Sequence, residues 1–147
     1  MAESVLSRSE DGESYPGQRL GLPLAGRGSL APWQTRITAL IADWAASMAV
    51  AVGFFGPGVV SGDGWRSWMI LAVFFVESAV LSALTGGSFG QLVTRIAIYR
   101  LDAQPLGFVR AFVRAGLVCL VIPAVVIGAD RRGLHDTVVN TVVIRRR

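Results

Sequence analysis

An aspartate inside an apolar run long enough to cross a bilayer constrains this chain more than any other feature. Asp43 interrupts the stretch from Ile37 to Phe55, and a second acid, Glu77, interrupts the next apolar stretch from Trp65 to Leu84. A carboxylate at membrane depth costs at least about 2.5 kcal/mol on insertion scales, so such a group is paired, protonated or used. Arg36 precedes Asp43 by seven residues. That spacing puts both on one helix face, two turns and roughly 10 Å apart, and the face is expected to point into protein. Charged residues make up 16% of the chain, against roughly 25% in a soluble domain, and the mean hydropathy is +0.54. The composition therefore reads as that of a membrane protein. The fourteen basic residues are all arginine and lie beside apolar segments, where they serve topology and contact with anionic lipids rather than nucleic acid. A single cysteine, Cys119, rules out an intramolecular disulfide and reads as a packed apolar side chain.

Residues 1 to 32 are polar and rich in Gly, Ser and Pro, with acids and arginines mixed. They read as a disordered or extended tail through about Tyr15, followed by a lead-in from Pro16 to Pro32. A signal peptide is a poor rival for the first apolar run, because its leading region would be long and acidic and Asp43 would break its core. The first helix is expected from Trp33 to Phe55, stopped by Gly56, Pro57 and Gly58. After a short, nearly neutral loop, Trp65 and Trp68 open a second helix as an interfacial aromatic belt, and Gly86 and Gly87 end it. The two spans form a hairpin.

Beyond it, Arg95 to Leu101 and the β-branched run Thr137 to Ile144 predict two short strands, able to pair at the membrane face. The third apolar segment, Leu106 to Ala129, is ambiguous. Only Ala115 to Ala129 is uncharged, which is short for a span, and Pro123 kinks it. It crosses if Arg110 and Arg114 snorkel to the interface. Its flanks argue otherwise: Gly86 to Arg114 carries four arginines against one aspartate, and Asp130 to Arg147 five against two. Both then belong in the cytoplasm, which favours a re-entrant segment. The fold class expected is thus an all-α integral membrane protein, a two-helix transmembrane hairpin plus a third short or re-entrant segment, with a small juxtamembrane β-pairing and a membrane domain over residues 33–147.

Three stretches carry a resemblance: Arg36-Ile37-Thr38-Ala39-Leu40-Ile41-Ala42-Asp43, Gly87-Ser88-Phe89-Gly90-Gln91, and Arg131-Arg132-Gly133-Leu134-His135-Asp136 with Thr141-Val142-Val143 behind it. Together they resemble the RDD family of small bacterial membrane proteins, named for one arginine and two aspartates. Arg36 and Asp43 match the first two members of that set, and Asp136 is the candidate for the third. Ser88 stands where the family commonly has Thr, and Gln91 where it often has a basic residue. The resemblance implies a bacterial plasma (inner) membrane location and, for some members, transport of unidentified ligands or cation/proton exchange.

For Asp43 three readings stay open: a lock pinned by Arg36, Arg110 or Arg114, a protonatable group in an ion path, or an ordinary water-exposed acid. Glu77 lies at comparable depth and is placed in the same polar layer. Asp130, His135 and Asp136 make a weak metal set, and Asp136 is better read as capping the following segment. Arg131 and Arg132 are expected to bind lipid phosphate or mark the cytoplasmic side, and Gly87 and Gly90 to cradle an anion or end a helix. With the only His and the only Cys in separate segments, no nucleophile–base pair is visible, so no enzyme, cofactor or metal is expected. Two functions remain: a transporter or exchanger acting as a homo-oligomer, or a non-transporting adaptor that binds lipid or a partner protein. In either case the N-terminus is placed in the cytoplasm.

Overall fold

Pro32 and Gly56 bound an uninterrupted helix, α1, over Trp33–Phe55. The Gly56 amide closes it on the Val52 carbonyl at 2.9 Å. In this computed structural model, which describes residues 15–62, 64–120 and 132–146, a four-residue turn of helix follows as α2, Gly58–Ser61. The second long helix begins differently from expectation: Gly64–Trp68 is a 3-10 turn, and only Met69–Thr85 is α-helical (α3). Gly86, at φ 78°, ends α3 in the left-handed conformation that costs glycine nothing. Trp65 and Trp68 are both exposed, as side chains of an interfacial belt would be.

Small and polar side chains line the inner face of the hairpin. Ala39, Asp43, Ser47 and Ala51 recur every four residues on α1, opposite Phe74, Ser78, Ala79 and Ser82 on α3. Such residues let two helices approach closely where apolar burial gives no driving force. Trp44 stacks on Phe74 with ring centroids 5.1 Å apart. The outer faces carry Ile41, Phe54, Val76 and Leu84, all exposed. Both helices are long and apolar enough to cross a membrane, and only 22% of each hydrophobic window is buried within the protein. Core helices of a soluble domain would be mostly covered, so this exposure points to a lipid surround.

The remaining elements gather at the end of the hairpin where α1 starts and α3 stops. Phe89–Val93 forms a short helix, α4, Ile96–Arg100 the strand β1, Phe108–Cys119 the helix α5, Leu134–Val138 the short helix α6 and Thr141–Arg145 the strand β2. β1 and β2 pair antiparallel with Ile98 opposite Val143. The lead-in adds to the free edge of β2: Leu30 bridges Ile144, and the Gly28 and Ala31 amides donate to the Arg145 and Val143 carbonyls, each at 2.9 Å. Ala31, Ala39, Ile96 and Val143 form one small core there, and Ile98, Leu106 and Ala111 another.

The third apolar segment is described only to Leu120, so Pro123, the crossing itself, Asp130 and Arg131 lie outside the described residues, as does the tail 1–14. The described part, α5, has twelve residues, about 18 Å of helix. It packs on α3 through an edge contact of Phe112 with Phe75. Arg110 and Arg114 do not snorkel outward. Arg110 donates to the Val139 carbonyl at 2.8 Å, and Arg114 is buried.

Candidate functional site

Asp43 is held by hydrogen bonds that come from α4. Its Oδ2 accepts a hydrogen bond from the Ser88 hydroxyl at 2.6 Å, and its Oδ1 one from the Gly90 amide at 2.5 Å. The carboxylate is 4% exposed. The local sequence explains the arrangement. Ser88 is the N-cap of α4, with a capping box in which the Gln91 side chain accepts from the Ser88 amide at 3.0 Å. The helix therefore begins at a fixed place and presents its first amides, which have no intrahelical partner, toward α1. Phe89 donates its amide to Glu77 Oε1 at 2.7 Å. Two carboxylates from the two long helices thus meet the positive end of one short helix. Asp43 and Glu77 do share a polar layer, and what joins them is α4.

Gly90 is required by contact as well as by hydrogen bonding. A Cβ at this position would run into the carbonyl of Ala39, one turn before Asp43 on α1. The Gly-Ser-Phe-Gly-Gln stretch holds the carboxyl group of the protein's own Asp43. The sequence contained a signal for this in the Ser-x-x-Gln pattern of residues 88 to 91, read above only as a glycine loop.

Asp136 holds the second charged centre. Its Oδ1 accepts from Arg114 Nε at 2.8 Å, with both side chains almost fully covered. The same oxygen accepts from the Thr141 hydroxyl at 3.2 Å, and His135 Nε2 lies 3.5 Å from Oδ2. The expected capping role is not what the structure places here: α6 has Gly133 as its N-cap, with no side-chain cap. Burial would push the Asp136 carboxyl up, but the charges of Arg114, His135 and Arg36, with the Arg114 hydrogen bond, outweigh it and hold the group below the usual carboxylate range. Arg36 reaches across from α1 to donate to the Val143 carbonyl at 3.3 Å. Arg132, read from sequence as binding lipid phosphate or marking the cytoplasmic side, is buried and donates to the carbonyls of Thr141 and Asp136. Its fork clamps the α6–β2 turn. Among the described residues no group of three or more His, Cys, Asp or Glu could hold a metal.

Both centres open on one cavity of about 330 Å³. Arg36, Asp43, Ser88, Gln91, Arg114, His135 and Asp136 supply its polar wall, and Trp33, Ile37, Leu40, Trp44, Phe74 and Val118 its apolar one. The structure thus brings Arg36, Asp43, Arg114 and Asp136 together. Glu77 and Arg110 stand behind the wall, Glu77 holding α4 and Arg110 holding the end of α6. A family model, that of the RDD family, matches residues 30–140. The chain matches no curated protein and no solved structure.

Proposed function

The chain belongs to the RDD family, and on that premise we propose that it is a multi-pass protein of the bacterial inner membrane, N-terminus in the cytoplasm, that moves a small ligand or exchanges cations for protons. The observation that carries this reading is the cavity. Its volume of about 330 Å³ falls at the lower end of the range for small-molecule sites, roughly 300 to 1,000 Å³, and it joins an apolar wall to a few convergent polar groups as such sites do. Two long helices enclose no pathway on their own, so the proposal includes a homo-oligomer. It does not include a catalytic step. The adaptor reading is favoured by one specific observation, that both oxygens of Asp43 are engaged by α4, as a packing lock would be.

Proteoliposomes under a pH gradient separate the two. Proton, sodium or potassium flux through the wild type that disappears in a still-folded Asp43→Asn protein supports exchange. No wild-type flux of any of the three leaves the adaptor as the better account.

A further inference from the structure

With Arg132 turned inward, contact with anionic lipid needs a different set of side chains, and a second cleft supplies one. It is an open surface groove of about 430 Å³ between the lead-in and the end of β2, lined by Arg27, Gly28, Ile144, Arg145 and Arg146. Among the described residues, three arginines and no acidic side chain line it. Two backbone hydrogen bonds fix the lead-in against the strand, Gly28 N to Arg145 O and Arg145 N to Ser29 O, each 2.9 Å, so Arg27 is held beside Arg145 by the fold. The cleft also has a defined height. Arg146 donates to the carbonyl of Thr85 at 2.5 Å, and Thr85 is the last residue of α3. The cleft is therefore anchored to the end of a candidate span, where the hydrocarbon stops and headgroups begin. Arg27, Arg145 and Arg146 are all exposed.

We propose that this cleft binds the phosphodiester headgroup of an anionic membrane lipid, with Arg27 and Arg145 as its principal contacts and Arg146 anchoring it to α3. Guanidinium groups match phosphate oxygens in paired hydrogen bonds. Three guanidinium groups converging on one cleft favour a ligand with net negative charge over a zwitterion. The proposal rests on the membrane placement of the two spans, and it is independent of whether anything is transported.

The test uses the full-length protein in phosphatidylcholine bicelles, titrated with phosphatidylglycerol and, in a separate arm, with inorganic phosphate. Wild type, Arg27→Gln, Arg27→Gln/Arg145→Gln and Arg66→Gln are compared, the last matching the charge change of Arg27→Gln at the 3-10 turn that precedes α3. Each arginine near an anionic surface is expected to contribute about fivefold in affinity, so the double variant should bind phosphatidylglycerol roughly 25-fold more weakly and Arg66→Gln as well as wild type. Arg27→Gln alone, at an exposed side chain, keeps the test valid if the double variant melts early. Equal loss in Arg66→Gln, or no preference of the wild type for phosphatidylglycerol over phosphatidylcholine, overturns the site. Inorganic phosphate binding as tightly as the lipid overturns the lipid assignment in favour of a free anion. All variants should still pellet with membranes; if the wild type does not, the failure belongs to the membrane reading and not to the cleft.

Discussion

Asp43 and Asp136 are both buried carboxylates, yet different physics holds each. Asp43 is met by amide and hydroxyl donors at a helix start, whereas Asp136 is met by a guanidinium. The two therefore respond differently to change. For Asp136, the folded-state pKa is depressed, so its contribution to stability is complete above the unfolded value of about 3.9 and is lost as pH falls through the lower folded value. A melting series in detergent should be insensitive to this group between pH 7 and pH 5 and fall below about pH 4. Asp136→Asn should remove that acid limb while costing about 3 to 5 kcal/mol at neutral pH, because it strands Arg114. The close approach of α4 to α1 gives a second expectation. Gly90→Ala forces a Cβ into the Ala39 backbone and should destabilise by about 3 kcal/mol or fail to fold. Gly53→Ala, where a Cβ meets nothing within 4 Å, should leave the melting temperature unchanged or slightly raised. Arg36 and Asp43 stood out in the sequence, since charge in or beside an apolar run is conspicuous, and Asp136 was singled out by the family resemblance. Their partners were not legible there. Ser88 and Gly90 are more than forty positions from Asp43, and single-helix geometry shows which face a residue is on without showing what arrives there.

The long helices were legible for the opposite reason: their signals are local. Pro32 and Gly56 bracket α1, and Gly86 ends α3. The short elements depend on tertiary context and were read less well. Thr137 and Val138 are β-branched and looked like strand, but they belong to α6. The Thr137 amide closes on the Gly133 carbonyl at 3.1 Å, and Arg132 ties the turn from the side. Asn140, at φ 56°, then reverses the chain into β2, a conformation asparagine tolerates better than most residues. Within the lead-in, residues 28 to 31 run along β2. That edge pairing can be tested directly. Ala31→Pro deletes the amide that donates to Val143 and leaves a carbonyl short of a partner in a buried core. A loss of about 1 to 3 kcal/mol is expected, against no measurable loss for Ala25→Ser on the exposed part of the lead-in, both read by thermal melting.

At the scale of the whole molecule, the sheet links parts of the chain that a topology must place on one side. The lead-in pairs with β2, β2 pairs with β1, and β1 follows directly from the end of α3; Ile98 even donates its amide to the Gly86 carbonyl at 2.7 Å. If α1 and α3 each cross, the segment before the first crossing and the segment after the second already share a face, as the sheet requires. We therefore expect the chain between β1 and β2 to return to the side it left rather than cross once. The arginines give the face its identity: Arg19, Arg27, Arg95, Arg100, Arg145 and Arg146 belong to segments at the end where α1 starts and α3 stops, whereas Arg66 belongs to the 3-10 turn at the other end of the hairpin. The expected outcome is specific. In a Cys119→Ser background, with cysteines introduced singly at Arg19, Ser61 and Arg146, an impermeant thiol reagent added to intact cells should label only the protein carrying the Ser61 substitution. The other two should label after permeabilisation. Labelling of the Arg146 position from outside, with Arg19 protected, would mean that the third segment crosses once and that β2 is not paired with β1 in the membrane.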